Sequence, residues 1–417
     1  MSQQCFNHDS PSKYASLFKF PVILTCLALM ACGNSGGGSV GNSNNICTNF
    51  SCQEMIENLA DNVITPMIVD FENKAATLDN AMAAWLETPT NDELKLTARQ
   101  SWDNAMLAWQ SLEVVQTGPL IENTFLLRDS IYSWPAVSTC VVDQEVIEAE
   151  TQGESYDISS RTPVRKGLAA LEYLLYTPTL DHTCPSTTNK TLNWDARPDT
   201  ERLSLRAQFA KAVSEDLVSL AGELKSRWVT NADSFRVELL NPNSAVSRFS
   251  SPTAVINALS DALFYIETQV KDIKLAEPLA LKGDKCIQGE ADCATLVENV
   301  LSARSKEHIR QNLLAFEQVF LGNSAAGVEG LGYDDLIDAA NGGENVSAAM
   351  EADISNALNA LDALGSLSLK QAVTDVNGIN LATGVHESTK KITDRLKSDF
   401  LNLLGLSIPG TAAGDGD

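Results

Sequence analysis

A single carboxylate interrupts one of the most apolar stretches of the chain. Glu172 lies in RKGLAALEYLLY, residues 165–176, where every other residue after the first two is small, apolar or aromatic. Helical spacing places Glu172 beside a core-facing stripe of leucines. Because an unpaired carboxylate is costly to bury there, we expect Glu172 to meet an arginine, a metal ion or a hydrogen-bond donor. A salt bridge to Arg128 or Arg165 and a place in a ligand site both fit this pattern.

The histidines limit the chemistry that the chain can perform. HESTK begins like an HExxH zinc site at His386 but has Lys390 where the second histidine belongs. His308 has no carboxylate four residues away on either side, and His182 lies close to Cys184, which favours a structural role near a disulfide. The sequence also has no GxSxG, Walker or dinucleotide motif, so hydrolase and nucleotide chemistry by those routes are not expected.

A second stripe of chemically capable side chains lies on an earlier predicted helix. Its members recur at spacings of three and four residues, which places them on one face. They are Arg99, Trp102, Met106, Trp109 and Glu113. Two interpretations of this stripe are open. It is either a row of core residues whose polar ends are solvated or a helix face that ends in a functional acid.

The elements that position these residues are predicted to be helices throughout. Apolar residues recur three and four apart along the chain without sustained alternation, which predicts an all-α fold. The predicted helices are 53–86, 92–116, 163–176, 200–228, 253–276, 294–320, 344–364 and 381–404, with long non-periodic loops at 117–162 and 177–198. The Ser-, Asn- and Pro-rich segment 241–253 predicts a domain boundary. Two antiparallel bundles of about four helices each, residues 47–245 and 246–407, would follow.

The N-terminus predicts export and lipid attachment. Residues 1–31 carry lysines before an eleven-residue apolar run, Phe20 to Met30, which is typical of a signal peptide and too short to span a bilayer. The following LMAC resembles a bacterial lipobox, so Cys32 is the predicted lipid site and residues 32–46 a flexible tether. Gly33 favours the outer membrane. An ordinary signal peptide with a coincidental cysteine is the alternative.

Cysteine count and charge support an extracytoplasmic compartment. Six cysteines remain after the leader and Cys32, and the simplest of their possible pairings is Cys47–Cys52, Cys140–Cys184 and Cys286–Cys293. Metal-binding thiolates are the competing interpretation. The net charge of −24 becomes −25 once the leader, with two lysines and one aspartate, is removed. Nucleic acid is therefore excluded as a partner, and cations or basic partners fit better.

Four segments together carry a resemblance to a known family. WDNAMLAWQSLEVVQTGPL, LRDSIYSWP, RKGLAALEYLLY and ARSKEHIRQNLLAFEQVFLG, in this order, resemble the imelysin-like proteins. The resemblance covers roughly residues 50–405. It implies a helical bacterial protein of the periplasm or cell surface, from a family often described as peptidases and implicated in iron uptake.

The family's GxHxxE motif corresponds here to Gly167 through Glu172, with Ala169 in the histidine position. Alanine neither ligates a metal nor transfers a proton, so peptidase activity is not expected. The resemblance places the functional region between the two bundles and makes Gly167 the small residue that permits close helix approach. It also makes Glu172 the retained acid. The further ligand or metal-binding candidates are Glu113, Arg128, Asp129, Trp134, Arg304 and Ser305.

These observations predict a lipid-anchored protein of the bacterial envelope that binds a ligand or partner at the cleft between its bundles. The resemblance implies iron or another divalent metal as the ligand and iron-uptake components as partners. Two alternatives remain open. The first is a metallopeptidase that recruits His386 or His308 through tertiary contacts, and the second is a structural adhesin or scaffold with a vestigial cleft.

Overall fold

The computed structural model describes residues 46–340 and 342–406 together with Pro409. The predicted signal peptide, Cys32 and the tether up to residue 45 lie outside these residues. Within the described ranges the chain is helical and contains no β-strand, so the predicted all-α fold is confirmed.

Among the described residues, eight α-helices precede the predicted boundary and seven follow it. The first eight are α1 (Cys52–Asn58), α2 (Thr65–Glu87), α3 (Asp92–Glu113), α4 (Glu122–Ile131), α5 (Thr139–Gln152), α6 (Gly167–Tyr176), α7 (Asp199–Lys225) and α8 (Phe235–Leu240). The next seven are α9 (Pro252–Leu263), α10 (Ser305–Phe320), α11 (Tyr333–Asp338), α12 (Glu344–Ala363), α13 (Leu369–Ala372), α14 (Val376–Arg395) and α15 (Leu401–Leu404). Helical turns of π type continue several of them, at Leu59–Ile64, Ser226–Thr230, Ile266–Ala276 and Leu396–Phe400.

Several helices begin at a side chain that caps the backbone N–H groups of the first turn. The Asn91 side chain accepts from the backbone N–H groups of Glu93 and Leu94 at 2.9 and 3.2 Å and so starts α3. Ser251 caps α9 in the same way through Ala254 N, and Pro252 occupies the first helical position. These local signals fix where a buried face starts.

The core forms where the long amphipathic helices meet. Helix α2 packs against α3 and α7, α12 packs against α14, and α10 packs against α3. The largest buried side chains are the indoles of Trp85, Trp102, Trp109, Trp194 and Trp228. The contact between α10 and α3 joins residues on the two sides of the predicted boundary. All the described residues belong to one compact unit, and the division of that unit into two bundles stays a prediction.

The predicted helix 294–320 is wrong over its first third. A short 3₁₀ turn at Cys293–Thr295 is followed by irregular chain, and α10 begins only at Ser305. Asn299 and Ala303 have φ of 52° and 59°, in the left-handed region, which ends any right-handed helix. Residues 296–304, called the 296–304 loop below, use their backbone for long-range contacts instead.

The predicted long loop 117–162 is also wrong in part, because it contains α4 and α5. Helix α4 is short, and the buried face of α5 includes the acids Asp143 and Glu145, so neither helix produces a clear apolar period in the sequence. The second predicted loop, 177–198, remains irregular apart from a single 3₁₀ turn.

The six described cysteines form three disulfides, Cys47–Cys52, Cys140–Cys184 and Cys286–Cys293. This is the pairing given above as the simplest. No helix among the described residues has the length and apolar character needed to cross a membrane.

Candidate functional site

The start of α6 is held in close contact with the end of α4. Gly167 has φ of +77°, and a Cβ there would lie 2.5 Å from the carbonyl oxygen of Ile131 and 2.6 Å from that of Ser130. Only glycine fits both the conformation and the space. Trp102 of α3 donates its indole N–H to the Leu168 carbonyl at 2.8 Å, which fixes the first turn of α6 from the other side.

The Glu172 carboxylate, one turn further along α6, is enclosed by the 296–304 loop. It accepts four hydrogen bonds, from Asn299 Nδ2 at 3.0 Å, Leu301 N at 3.2 Å, Ser302 N at 2.8 Å and Ser302 Oγ at 2.9 Å. Burial raises the pKa of Glu172, and the hydrogen bonds from Ser302, Asn299 and Leu301 partly offset this rise. These hydrogen bonds therefore hold the 296–304 loop around Glu172, and each of its two carboxylate oxygens accepts at least one of them.

The interpretation of Glu172 as half of a salt bridge is wrong. Arg165 pairs with the buried Glu145, and Arg128 pairs with its neighbour Asp129. The expected hydrogen-bond donors are present instead, and they come from backbone and amide groups rather than from a guanidinium.

Asn299 connects Glu172 to His308 of α10. Since the Asn299 amide N–H donates to Glu172, its Oδ1 is the acceptor that faces His308 Nδ1 at 2.7 Å. Nδ1 therefore carries the proton, and the buried Nε2 atom has no hydrogen-bond partner in the described part of the chain. Burial lowers the pKa of His308 well below its ordinary value, and the positive charges of Lys274 and Arg304 lower it further. His308 is a neutral imidazole.

A buried ammonium lies next to this cluster. Lys274 donates to Gln110 Oε1 at 2.6 Å, to Asn312 Oδ1 at 2.9 Å and to Glu113 Oε2 at 3.0 Å. It also lies 3.2 Å from Glu298 Oε1. Lys274 thus compensates two buried carboxylates, which would otherwise be strongly destabilising.

Two tyrosines donate further hydrogen bonds to these two carboxylates. Tyr132 donates to Glu298 Oε1 at 2.8 Å, and Tyr265 donates to Glu113. Burial raises the pKa of both phenols well above the ordinary value, so both remain protonated donors. Burial also raises the pKa of Glu298, although the Lys274 charge opposes the rise. Because Tyr132 also contacts Asn299 Oδ1 at 3.3 Å, these groups form one polar network with Glu172.

The structure brings some of the predicted site residues together and leaves others apart. Glu172 and Glu113 belong to the same buried network. Ser305 is fully buried at the start of α10, and its hydroxyl group has no hydrogen-bond partner among the described residues. Arg304 is half-exposed and lies 3.5 Å from Asp103. Among the described residues, Arg128, Asp129 and Trp134 form no hydrogen bond or ion pair with the network.

Lys274, Glu298 and Asn299 were not predicted as site residues, and His308 was named only in the metallopeptidase alternative. The signal that could have found Glu298 is the one that marked Glu172, because it lies in the apolar run TLVENVL. The predicted helix 294–320 gave no reason to single out Glu298.

Removal of the Glu172 carboxylate is expected to destabilise the protein. Glu172→Ala leaves buried donors without an acceptor, at a cost of about 1–3 kcal/mol for each group left unsatisfied. Glu172→Gln keeps one oxygen but sets its amide N–H against the Asn299 N–H, so we expect a smaller loss of stability.

The contribution of Glu172 to stability depends on pH. Because burial raises the pKa of Glu172, the folded state binds a proton more tightly than the unfolded state does. The contribution of Glu172 to the free energy of unfolding therefore falls as pH rises through the pKa of its carboxyl group. The difference in the free energy of unfolding between wild type and Glu172→Gln, measured by urea unfolding, should therefore shrink between about pH 4 and about pH 8. An unchanged midpoint in Glu172→Ala would contradict this account.

The described residues do not offer a preassembled metal site at Glu172. The one described group of three potential ligands whose atoms lie within 4.8 Å of one another is Cys286, Asp292 and Cys293. Its two sulfurs are bonded to each other as a disulfide, and a disulfide lacks the thiolates that hold a metal. With Ala169 in the motif's histidine position and both Glu172 oxygens occupied, the residues of the motif do not fit a resident metal ion.

Comparison with known proteins agrees with this architecture. The solved structure of a proposed iron-regulated protein A precursor from Parabacteroides distasonis ATCC 8503 is 17% identical, with a TM-score of 0.65, and covers 84% of this chain and 95% of that one. An imelysin-like protein from Psychrobacter arcticum 273-4 is 16% identical, with a TM-score of 0.64, and covers 86% and 98%. No curated protein shows significant similarity to the chain. The family model Peptidase_M75, described as imelysin, matches residues 64–396, and the chain belongs to the imelysin family.

Proposed function

We propose that this protein is a lipid-anchored component of the bacterial cell envelope that takes part in the uptake of iron or another metal. It binds a ligand or a partner, such as an iron-uptake component, and does not hydrolyse peptides. Family membership and the name of a relative of similar fold, an iron-regulated protein A precursor, support the role in metal uptake. The anchor at Cys32, on the periplasmic side of the outer membrane, is part of the same proposal.

One observation carries the non-catalytic part of the proposal. Ala169 replaces the motif's histidine, and the two carboxylate oxygens of Glu172 accept four hydrogen bonds from within the protein. A general base must reach a substrate or a water molecule through a free lone pair in an accessible place. Because Glu172 is buried and hydrogen-bonded to the 296–304 loop, its role in this proposal is to order that loop for recognition of a ligand or partner and not to act as a general base.

A second candidate function, a metallopeptidase with rearranged ligands, is favoured by one feature. His308 is linked to Glu172 through Asn299, and its unprotonated Nε2 atom has no hydrogen-bond partner. An imidazole in this state is a competent metal ligand. Against this candidate, the described residues supply no second and third ligand atom within metal-binding distance of Nε2.

Equilibrium dialysis and peptide hydrolysis distinguish the two functions. The mature protein is dialysed against iron, zinc and copper, with and without a reductant, because reduction would free the thiolates of Cys286 and Cys293. The proposal expects binding of at least one metal or metal chelate at micromolar concentration, without cleavage of casein. Failure to bind any of them would contradict it. Casein cleavage that is lost with a chelator and in His308→Ala would establish the peptidase instead.

Restoring the motif histidine is expected to add no metal site. Ala169 is buried, and both oxygens of the Glu172 carboxylate on the same helix already accept hydrogen bonds. Ala169→His should therefore destabilise the protein by about 1–3 kcal/mol through overpacking. Its affinity for zinc should remain that of the wild type. Calorimetric titration with zinc and a thermal melt measure both effects, and a clear gain in zinc affinity would show that Glu172 can leave the loop.

A further inference from the structure

A cavity of about 810 Å³ lies between α4, α8 and the segment that runs from α9 into the π-helical turns 266–276. Its size falls within the range of small-molecule sites, about 300–1,000 Å³. Five aromatic rings and one acid characterise its wall, namely Phe125, Phe235, Phe249, Phe264, Tyr265 and Asp261. It is distinct from the enclosed cluster around Glu172, although Tyr265 belongs to both.

Asp261 is an uncompensated carboxylate in this wall. Its Oδ1 atom is buried and has no hydrogen-bond partner among the residues that the structure describes. Burial raises the pKa of Asp261 to about 6, and no neighbouring charge or hydrogen bond offsets that rise. An ionised carboxylate in such a place costs free energy that a positively charged ligand would recover.

The two arginines of the cavity are already engaged. Arg128 pairs with Asp129 at 2.7 Å and donates to Gln116 at 3.2 Å. Arg248 forms ion pairs with Glu238 at 2.6 Å and Glu122 at 2.9 Å. Neither guanidinium therefore neutralises Asp261, and neither is free to bind an anion.

The aromatic faces already accept positive charge. The Arg128 guanidinium lies 4.1 Å above the Phe125 ring, and that of Arg248 lies 5.3 Å from the Phe235 ring centroid. Contacts of this kind are worth about 0.5–1 kcal/mol when exposed and more when desolvated. A wall of rings with one unpaired acid suits an organic cation.

The backbone that presents Phe125 is strained. Asn123, Thr124 and Phe125 have φ of 49°, 57° and 64°, in the left-handed region that threonine and phenylalanine rarely occupy. Strain of this kind costs about 1–3 kcal/mol for each residue and concentrates at ligand-binding positions. The chain therefore holds Phe125 in the cavity wall at a local cost in stability.

We propose that this cavity binds a small organic cation with an aromatic or apolar body, of the class of the aromatic primary amines. The ammonium group pairs with Asp261, and the body packs between the phenylalanine rings. A bare metal ion does not suit the site, because a single carboxylate among phenylalanines provides too few oxygen ligands. The inference does not depend on the role in metal uptake.

Calorimetric titration with phenethylamine tests the proposal, in buffer that contains a chelator so that metal binding cannot contribute. The neutral analogue phenethyl alcohol and the anionic analogue hydrocinnamate have the same ring. We expect phenethylamine to bind with a dissociation constant below about 1 mM and each analogue to bind at least about tenfold more weakly.

Asp261→Asn is the decisive variant, because it keeps the shape of the side chain and removes its charge. It should reduce phenethylamine affinity at least about tenfold, and its thermal melt should show a folded protein. Glu317→Gln is the matched control: Glu317 lines a separate cavity of about 620 Å³, burial also raises its pKa, and its loss should leave the affinity unchanged. Absence of phenethylamine binding, equal binding of phenethyl alcohol, or full affinity in Asp261→Asn would each overturn the proposal.

Discussion

Replacement of Lys274 by methionine is expected to destabilise the protein by about 3–5 kcal/mol, the usual cost of leaving a buried charge without its partner. Lys274 is fully buried and lies within 3.2 Å of carboxylate oxygens of both Glu113 and Glu298. Methionine fills a similar volume, so the loss measures charge compensation rather than a cavity. Urea unfolding monitored by circular dichroism gives the free energy of unfolding.

The pH dependence of this variant has a definite sign. Burial already raises the pKa of Glu298, and loss of the Lys274 charge raises it further. A carboxyl group with a raised pKa binds more protons in the folded state than in the unfolded state, so stability falls as pH rises. The penalty of Lys274→Met should therefore be greater at about pH 8 than at about pH 5.

Two further variants make this prediction decisive. Adding Glu298→Gln to Lys274→Met removes one of the uncompensated charges and should recover part of the lost stability. Lys390→Met breaks an exposed pair with Asp394 in α14 and should change stability by less than about 0.5 kcal/mol. A Lys274→Met variant as stable as Lys390→Met would show that the two buried acids are uncharged in the native protein.

Gly167→Ala is expected to cost at least about 3 kcal/mol, because it combines a left-handed backbone with a steric clash. The added methyl group would meet the carbonyl oxygens of Ile131 and Ser130 at about 2.5 Å, and backbone atoms cannot move aside as a flexible side chain can. Since α6 would have to shift, the enclosure of Glu172 should loosen as well. A thermal melt measures the loss of stability, and hydrogen exchange at Ser302 N measures the loosening.

Gly222→Ala in α7 is the matched control. Nothing lies within 4 Å of a Cβ built at Gly222, which has ordinary helical geometry. Alanine should stabilise this helix by up to about 1 kcal/mol. Equal effects of the two substitutions would mean that Gly167 is not required for the contact between α4 and α6.

The sequence predicted the elements whose signals are local. The long helices α3, α7 and α12 have apolar faces that repeat every three or four residues, and their observed bounds agree with the predicted ones to within a few residues. The predicted helix 53–86 corresponds to α1, the π-helical turns Leu59–Ile64 and α2 taken together. The family and the all-α fold are likewise confirmed. Glu172 was recognisable for a local reason too, since a carboxylate is conspicuous in an apolar helix.

The partners of Glu172 were not predictable from local patterns. Leu301 and Ser302 lie about 130 positions away along the chain, and their contribution comes from backbone N–H groups, which carry no side-chain signal. The spacing of apolar residues in 294–304 suits a helix, but the tertiary contact with Glu172 overrides that local preference. Lys274 was missed because a lysine near the end of an amphipathic segment is usually solvated.

Tyr265 has a consequence for communication between distant parts of the molecule. Its ring forms part of the aromatic cavity, while its hydroxyl group ends a relay that passes through Glu113, Lys274 and Glu298 towards the motif. A guest that displaced the phenol would withdraw a hydrogen-bond donor from Glu113 and change the electrostatic environment of Lys274 and Glu298. Occupancy of the cavity and the ordering of the loop around the motif acid would then be thermodynamically linked, and each would alter the other by the same free energy.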